Sequence, residues 1–158
     1  MGINKTFGEP DDMVALGLQG FIAGPPVIVG EFAFPVIGSW QVTSPFGDRR
    51  RRVVPHRGLD LGSPVGTPLV AVMGGTVQTG RSVRGGNIIF IHADNGMRFL
   101  YAHLSRFAVL NGARVAKGDV IGAVGNTGFS TGPHLHIEFI MPDGTRIDPA
   151  RYLIPSVR

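Results

Sequence analysis

The chain has 158 residues, which is enough for one domain with its own hydrophobic core and short for two. Its composition, 43% hydrophobic and 16% charged, is that of a globular protein, and the lack of cysteine excludes disulfides, thiolate zinc sites and a cysteine nucleophile. The net charge of +4 favours contact with anionic material, without choosing among nucleic acid, phospholipid and an anionic wall polymer.

The N-terminal segment, residues 1–34, contains an 18-residue stretch without a charged side chain, from Met13 to Gly30. A signal or membrane segment must be considered at this length, but glycines and prolines interrupt the stretch, and Asp11 and Asp12 stand where a signal peptide has basic residues. We therefore predict a short helix over about 11–23, ended by the Pro-Pro pair, and no transmembrane span. We expect the segment to anchor the domain or to cover its cleft.

After this segment, short runs rich in Val, Ile and Phe alternate with glycine turns. Such spacing is typical of antiparallel β-structure folded as a sandwich or open barrel, and no βαβ rhythm is present. The runs are residues 69–73, 76–79, 87–92, 97–103, 120–124 and 134–141. Within NIIFIHADNGMRFLYAHL the pattern predicts a hairpin that turns near Asp94, Asn95 and Gly96. We predict an all-β, antiparallel, sandwich-like single domain over 35–153, with a C-terminal tail over 154–158.

Two histidines, His134 and His136, lie one residue apart in the segment GPHLHIEF. Alternate side chains of a strand share a face, so both imidazoles and Glu138 are predicted to point to one side, and the apolar residues between them to the other. A buried imidazole has a donor and an acceptor to satisfy. A metal ion is one partner that would do so.

A second polar pair, His56 and Asp60, lies in HRGLDL. The prolines and glycine around the pair disfavour a helix, and in an extended segment residues four apart also lie on one side. Zinc accepts imidazole nitrogen and carboxylate oxygen, and a catalytic zinc site has three protein ligands and one open position. His56, Asp60 and one histidine of the 134/136 pair satisfy that count.

The other histidines and an arginine run complete the candidate residues. His103 ends a predicted strand in YAHLS, from which a side chain can enter a cleft, whereas we expect His92 to be structural or on the surface. The four arginines 49–52 are expected in an exposed loop, where they stay hydrated. Because no aromatic platform or recognition motif accompanies them, we expect no nucleic-acid binding.

The segments HRGLDL, YAHLS and GFSTGPHLHIEF resemble the three signature elements of the lysostaphin/LytM-type zinc metallopeptidases, which cleave peptide cross-bridges in bacterial peptidoglycan. The resemblance covers about residues 35–153. It implies a β-sandwich-like fold with a cleft across one sheet, one zinc ion, three metal ligands and two catalytic histidines. The implied metal ligands are His56, Asp60 and His136, and the implied catalytic residues are His103 and His134.

The resemblance also implies the reaction, a zinc-dependent hydrolysis of cross-bridges or stem peptides of peptidoglycan by an activated water molecule. No glutamate base of the H-E-x-x-H kind is present, so proton transfer falls to imidazole. Some members place a tyrosine shortly before the first zinc histidine, but residues 41–55 contain none, which leaves the oxyanion-stabilising group unassigned. We expect the protein in the cell envelope or outside the cell, in periplasm, wall or phage particle, although no clear signal peptide is present.

Two alternatives to a peptidase remain open. Some LytM-like domains are non-catalytic wall-binding or activator modules, but these have lost metal residues that this chain keeps. Two histidines and one carboxylate also describe the iron site of 2-His-1-carboxylate oxygenases. The two further histidines favour hydrolysis over oxygenation.

Overall fold

A computed structural model describes residues 24–50 and 52–155. The predicted helix over 11–23 therefore lies outside the described residues. Within them, no helix has the length and apolar character needed to cross a membrane.

The regular secondary structure of the described chain is almost entirely short strands, with one helical turn near its end. The strands are β1 (Ile28–Val29), β2 (Phe32–Ala33), β3 (Gln41–Ser44), β4 (Leu59–Gly62), β5 (Pro68–Val70), β6 (Gly75–Ser82), β7 (Gly86–His92), β8 (Arg98–Leu104), β9 (Arg106–Phe107), β10 (Arg114–Val115), β11 (Val120–Ala123), β12 (His134–Ile140) and β13 (Arg146–Ile147), and the helix is α1 (Ala150–Leu153). The many glycine and proline turns keep these elements short.

Eight strands form one sheet in the order β10, β6, β7, β8, β12, β4, β3, with β13 paired to the end of β12. A second sheet contains β5, β11 and β9, and β1 pairs with β2. Every pairing is antiparallel. The predicted all-β antiparallel fold is confirmed.

The predicted strand runs correspond to six of these elements: β5, β6, β7, β8, β11 and β12. The predicted hairpin is also observed, because β7 and β8 pair along their length and Gly96 in their turn has a φ of 89°. β3 and β4 were not predicted as strands. Both are short, and β4 follows a glycine and precedes a proline, so neither stands out as an apolar run.

The hydrophobic core lies between the two sheets, because alternate residues of the large sheet point toward the small one. The largest fully buried side chains include Leu59, Leu61, Leu69, Phe99, Tyr101, Ile121, Leu135 and Phe139. Tyr101 ties the layers together, since its hydroxyl donates to the Val70 carbonyl at 2.8 Å and accepts from the Val72 amide at 2.9 Å. Because this buried hydroxyl both donates and accepts a hydrogen bond, its burial does not destabilise the folded state.

The core also includes aromatic residues from before residue 35. Phe32 and Phe34 are only 7% and 4% exposed. The ring centroid of Phe32 lies 6.1 Å from that of Phe99 and 5.2 Å from that of Phe139. Aromatic pairs at these separations add about 0.5–1.5 kcal/mol beyond the burial of their area. The end of the N-terminal segment is thus packed against the large sheet.

Gly58 allows the chain entering β4 to approach β12 closely. A Cβ atom at this position would lie 2.5 Å from the Ile137 carbonyl oxygen and 2.8 Å from Cε1 of His136. The first distance is to backbone, which cannot move without disturbing the β4–β12 ladder. Glycine is therefore required here for its lack of a side chain.

We expect Gly58→Ala to lower the free energy of unfolding by about 1–3 kcal/mol, because the added methyl group forces the two strands apart. Denaturant unfolding of the purified variant measures this change. Gly80→Ala is the matched control, since a Cβ there meets only Ile88 Cγ1, at 3.8 Å, and we expect a change within about 0.5 kcal/mol. Equal stability of the two variants would contradict the close approach at Gly58.

Candidate metal centre and catalytic cleft

The register of β12 brings distant residues together on the outer face of the large sheet. His136 lies directly opposite Asp60 of β4 and opposite Ala102 of β8. Opposed residues in an antiparallel pair have Cβ atoms about 4.5–5.5 Å apart and point to the same face. His56 joins them from the loop just before β4. Residues 80 positions apart in the chain thus meet in one cluster.

The three side chains place one ligand atom each around a common point. His136 Nδ1 lies 2.8 Å from Asp60 Oδ1 and 3.1 Å from His56 Nε2, and His56 Nε2 lies 3.3 Å from Asp60 Oδ1. Ligand atoms ~2.1 Å from a tetrahedral ion lie ~3.4 Å from one another. The cluster thus fits a metal ion after small outward shifts, and it is the only such group of His, Cys, Asp or Glu among the described residues.

Hydrogen bonds on the outer side of each ring direct the inner nitrogen towards the point where an ion would bind. His56 Nδ1 donates to the Pro45 carbonyl, with the Ser44 hydroxyl also 3.1 Å away. His136 Nε2 donates to Glu138 Oε2 at 2.8 Å. An imidazole that gives its proton to an outer acceptor presents a lone pair at the other nitrogen, the arrangement seen in metal-ligating histidines.

Glu138 lies between His136 and Arg146 and accepts a hydrogen bond from each. Its carboxyl group is almost fully buried, at 3% exposure of the residue, and it also accepts from Arg146 Nε at 2.9 Å. Burial raises the pKa of Glu138, but the hydrogen bonds from His136 and Arg146 outweigh it and lower the pKa below its usual value. The alternation of side chains predicted the face on which Glu138 lies, whereas no pattern in the sequence indicated Arg146.

The other two histidines lie beside this cluster with their rings close together. The ring centroids of His103 and His134 are 4.7 Å apart. His134 Nδ1 donates to the Gly132 carbonyl at 2.8 Å, and His103 Nδ1 donates to the Thr127 carbonyl at 2.7 Å. Both rings therefore direct Nε2 away from these backbone contacts. That of His134 lies 3.8 Å from Asp60 Oδ2, at the edge of the cluster.

His103 has a left-handed backbone conformation, with a φ of 68°, and no other non-glycine residue in the described ranges has a positive φ. It lies at a bulge near the end of β8, where the register with β7 shifts between Asn87 and Ile89. Its amide is fixed by a 2.7 Å bond to the Gly85 carbonyl. Such strain persists only where the surroundings impose it, and it is concentrated at functional sites.

Electrostatic coupling sets the protonation of the cluster. Burial would raise the pKa of Asp60, but hydrogen bonds from His136 and His56 hold it well below its usual range. Burial would lower the pKa of His136, yet its bonds to Asp60 and Glu138 raise the pKa to about 9. Burial lowers the pKa of His103 despite its bond to Thr127, which keeps that ring neutral near pH 7.

A cleft of about 540 Å³ opens next to the cluster. One wall is the turn before β12, with Thr131, Gly132 and His134, and the other is the loop before His56, with Arg50 and Arg52. His92 lies away from the cleft, since the β7–β8 register pairs it with Arg98 at the far end of β8, and its Nε2 lies 2.8 Å from Gln78 Oε1. The structure therefore places the five predicted site residues together and His92 apart from them.

Comparison with known proteins agrees with this arrangement. The sequence profile described as Peptidase family M23 matches residues 54–149, which include all five clustered residues. The chain belongs to peptidase family M23. This confirms the predicted resemblance, because that family contains the lysostaphin-type enzymes.

Relatives of known structure or curated function support the M23 assignment. The peptidoglycan DD-endopeptidase ShyA of Vibrio cholerae is 40% identical over 114 residues, covering 68% of this chain and 26% of ShyA. The catalytic domain of lysostaphin from Staphylococcus simulans superposes with a TM-score of 0.67 at 33% identity, covering 72% of this chain and 92% of that domain. A zinc-containing peptidase from Vibrio cholerae gives a TM-score of 0.67 at 33% identity over 73% of this chain and 37% of the other.

We expect zinc affinity to increase about ten-fold per pH unit between pH 6.5 and 8.5 and to level off near pH 9. The metal-free protein holds a proton on His136 below its pKa of about 9, and zinc can bind Nδ1 only after that proton leaves. Competition titrations against a chelator of known affinity measure the dependence. A dissociation constant that stays unchanged over this range would contradict it.

We expect His103→Gly to be more stable than His103→Ala by about 1 kcal/mol, because only glycine adopts the left-handed conformation without cost. Both variants lack the imidazole, so the difference in their free energies of unfolding reports the backbone alone. Ala102→Gly is the control, since glycine in an ordinary strand conformation should instead be destabilising. A His103→Ala protein as stable as His103→Gly would show that the backbone is not strained.

Proposed function

We propose that the protein is a zinc-dependent endopeptidase that hydrolyses peptide bonds in bacterial peptidoglycan, in the cell envelope or outside the cell. The metal ligands are His56, Asp60 and His136, and the catalytic residues are His103 and His134. The chain spans about a quarter of the length of ShyA, so the bond cleaved by the whole protein is part of the proposal.

The observation that carries this proposal is the shared hydrogen-bonding pattern of four imidazoles. They belong to His56, His103, His134 and His136. Each ring commits one nitrogen to an outer acceptor: Pro45 O, Thr127 O, Gly132 O or Glu138 Oε2. The other nitrogen of two rings meets Asp60 at a point suited to a metal ion, and the remaining two rings stand beside it. A structural cluster has no need of two extra acceptor nitrogens next to its ligands.

Zinc bound at this point would polarise a substrate carbonyl and lower the pKa of a water molecule from ~15.7 towards ~7. His103 and His134 supply the proton transfer. Each directs Nε2 away from the carbonyl that its Nδ1 contacts, and the lowered pKa of His103 favours the neutral form that accepts a proton. The histidine that takes the proton of the attacking water then donates it to the leaving amine. The bonds to Thr127 and Gly132 hold the two rings in the required tautomer.

The non-catalytic alternative, a wall-binding or activator module, has less support. A module that only binds the wall needs neither the metal cluster nor the strained conformation of His103. The iron-oxygenase alternative is opposed by family membership. Measuring metal content and peptidoglycan cleavage on the same protein distinguishes a peptidase from these two alternatives.

We expect zinc-loaded protein to release peptides from purified peptidoglycan, chelation to abolish the release, and added zinc to restore it. His134→Ala should lose about 100-fold or more in rate while keeping stoichiometric zinc, because it removes proton transfer but no ligand. Asp60→Asn should instead lose zinc. Mass spectrometry of the fragments and elemental analysis of the protein measure the two effects, and the fragments identify the bond.

His92→Ala is the control for these substitutions, because its ring lies outside the cleft and should leave both rate and zinc content unchanged. Full zinc occupancy with binding to peptidoglycan and no cleavage would contradict the proposal. That result would favour the wall-binding module.

A further inference from the structure

Arg52 lies at the mouth of the metal cluster, and its guanidinium makes only long contacts there. Its guanidinium Nη2 is 3.5 Å from the Ser44 hydroxyl and 3.9 Å from Asp60 Oδ2, and its side chain is 37% exposed. His134 Nε2 faces the same carboxylate oxygen from 3.8 Å. Both distances exceed a direct hydrogen bond to Asp60. The guanidinium and the imidazole thus flank one side of the cluster, at the cleft.

Arg50 of the same loop is in a different situation. Its Nε and Nη2 donate to Asp48 at 3.0 and 2.8 Å, and its side chain is 71% exposed. Asp48 in turn accepts from the Ser44 hydroxyl at 2.8 Å. Among the described cations that line the cleft, Arg52 is therefore the one not hydrogen-bonded to a carboxylate.

Arg52 is also not needed to hold its loop in place. Backbone bonds from Gly47 N to His56 O at 2.8 Å and from His56 N to Asp48 O at 2.9 Å close the base of the loop. The residues that follow Arg52, Val53 and Val54, are exposed and do not pack into the core. The guanidinium is thus free to bind a group that enters the cleft.

The chemistry of this position suits an anionic oxygen. Guanidinium is always charged and presents donors in a planar fork that matches a carboxylate or an oxyanion. Asp60, the nearest anion, directs Oδ1 to His56 and His136 and shares its charge with them. An anionic group that enters the cleft would therefore meet in Arg52 a cation that is not hydrogen-bonded to a carboxylate.

We propose that Arg52 binds an anionic oxygen of the substrate in the cleft, on the side of the cluster where His134 stands. This inference rests on the proposed function. The oxygen has two sources: a carboxylate that the stem peptide carries before reaction, or the oxyanion that develops on the scissile carbonyl. The first acts on substrate binding, and the second acts on the chemical step.

The test compares Arg52→Gln with wild type on two synthetic probes, a cross-linked stem peptide with free carboxylates and the same peptide with its carboxylates amidated. We expect Arg52→Gln to lose about 10- to 100-fold in kcat/KM, the value of one charge-assisted hydrogen bond. Arg52→Lys, which keeps the charge but not the fork, should lose less. Arg151→Gln on α1 removes the same charge away from the cleft and should match wild type.

The two probes separate the sources of the oxygen. A loss seen only with the free-carboxylate peptide, and carried by KM, identifies a substrate carboxylate. A loss of equal size on both peptides, carried by kcat, identifies the oxyanion. Rates of Arg52→Gln within two-fold of wild type on both probes would overturn the inference. A parallel loss of zinc affinity, measured by chelator competition, would also overturn it, since Arg52 would then act through Asp60.

A failure of the proposed endopeptidase function is distinguished from a failure of the Arg52 inference by the activity of the wild-type protein. If zinc-loaded wild type cleaves neither probe, the endopeptidase proposal fails, and binding of the intact peptides is then measured by calorimetry. The Arg52 inference survives in that case only if Arg52→Gln weakens binding of the free-carboxylate peptide by about ten-fold or more and leaves the amidated one unchanged. Equal binding of both peptides by both proteins would overturn it.

Discussion

The pairing of β12 with β4 is the constraint on which the rest of the site depends. The register sets His136 opposite Asp60 on the outer face, while Leu59 and Leu61 of β4 are fully buried on the inner face. A slip of one residue would exchange the faces, exposing both leucines and burying the carboxylate in the core. The hydrophobic core therefore fixes the register, and the register fixes the separation of the ligand atoms. Gly58 serves the same purpose, since it lets the chain enter β4 against β12.

The cluster is not explained by stability alone. Buried charges stabilise a fold only when each is well paired, and replacing them by apolar residues is often neutral or favourable. Here the charges are distributed along a chain of contacts: Asp60 and Glu138 share His136, and Arg146 supplies the balancing cation. That arrangement keeps His136 oriented and its inner nitrogen aimed at the carboxylate. It is the construction expected where an ion will occupy the centre and outer contacts must hold its ligands.

The sequence predicted the parts of this site that depend on local pattern. Period-two alternation places His134, His136 and Glu138 on one face of a strand, and the described strand has its apolar residues buried on the other. The conformation of His103 could not be predicted, because it is imposed by a bulge against β7. Nor could the Thr127 carbonyl be identified as its partner, since backbone acceptors carry no signature in sequence. Arg146 was missed for a related reason: it reaches Glu138 only because β13 folds back on the end of β12.

The same ladder explains why two histidines on one face have different surroundings. The alternation of side chains along the strand puts His134 and His136 on the same face. The sequence pattern alone therefore left open which of them is the metal ligand. Across the strand, His136 faces an aspartate, whereas His134 faces Gly62, which has no side chain to meet it. A Cβ at Gly62 would come within 2.8 Å of Thr43 Cγ2, so the position opposite His134 stays empty of side chains. His136 is thereby bound into the cluster, and His134 is left facing the cleft with an accepting nitrogen. The different roles proposed for the two histidines, holding an ion and moving a proton, thus follow from the residues of the neighbouring strand.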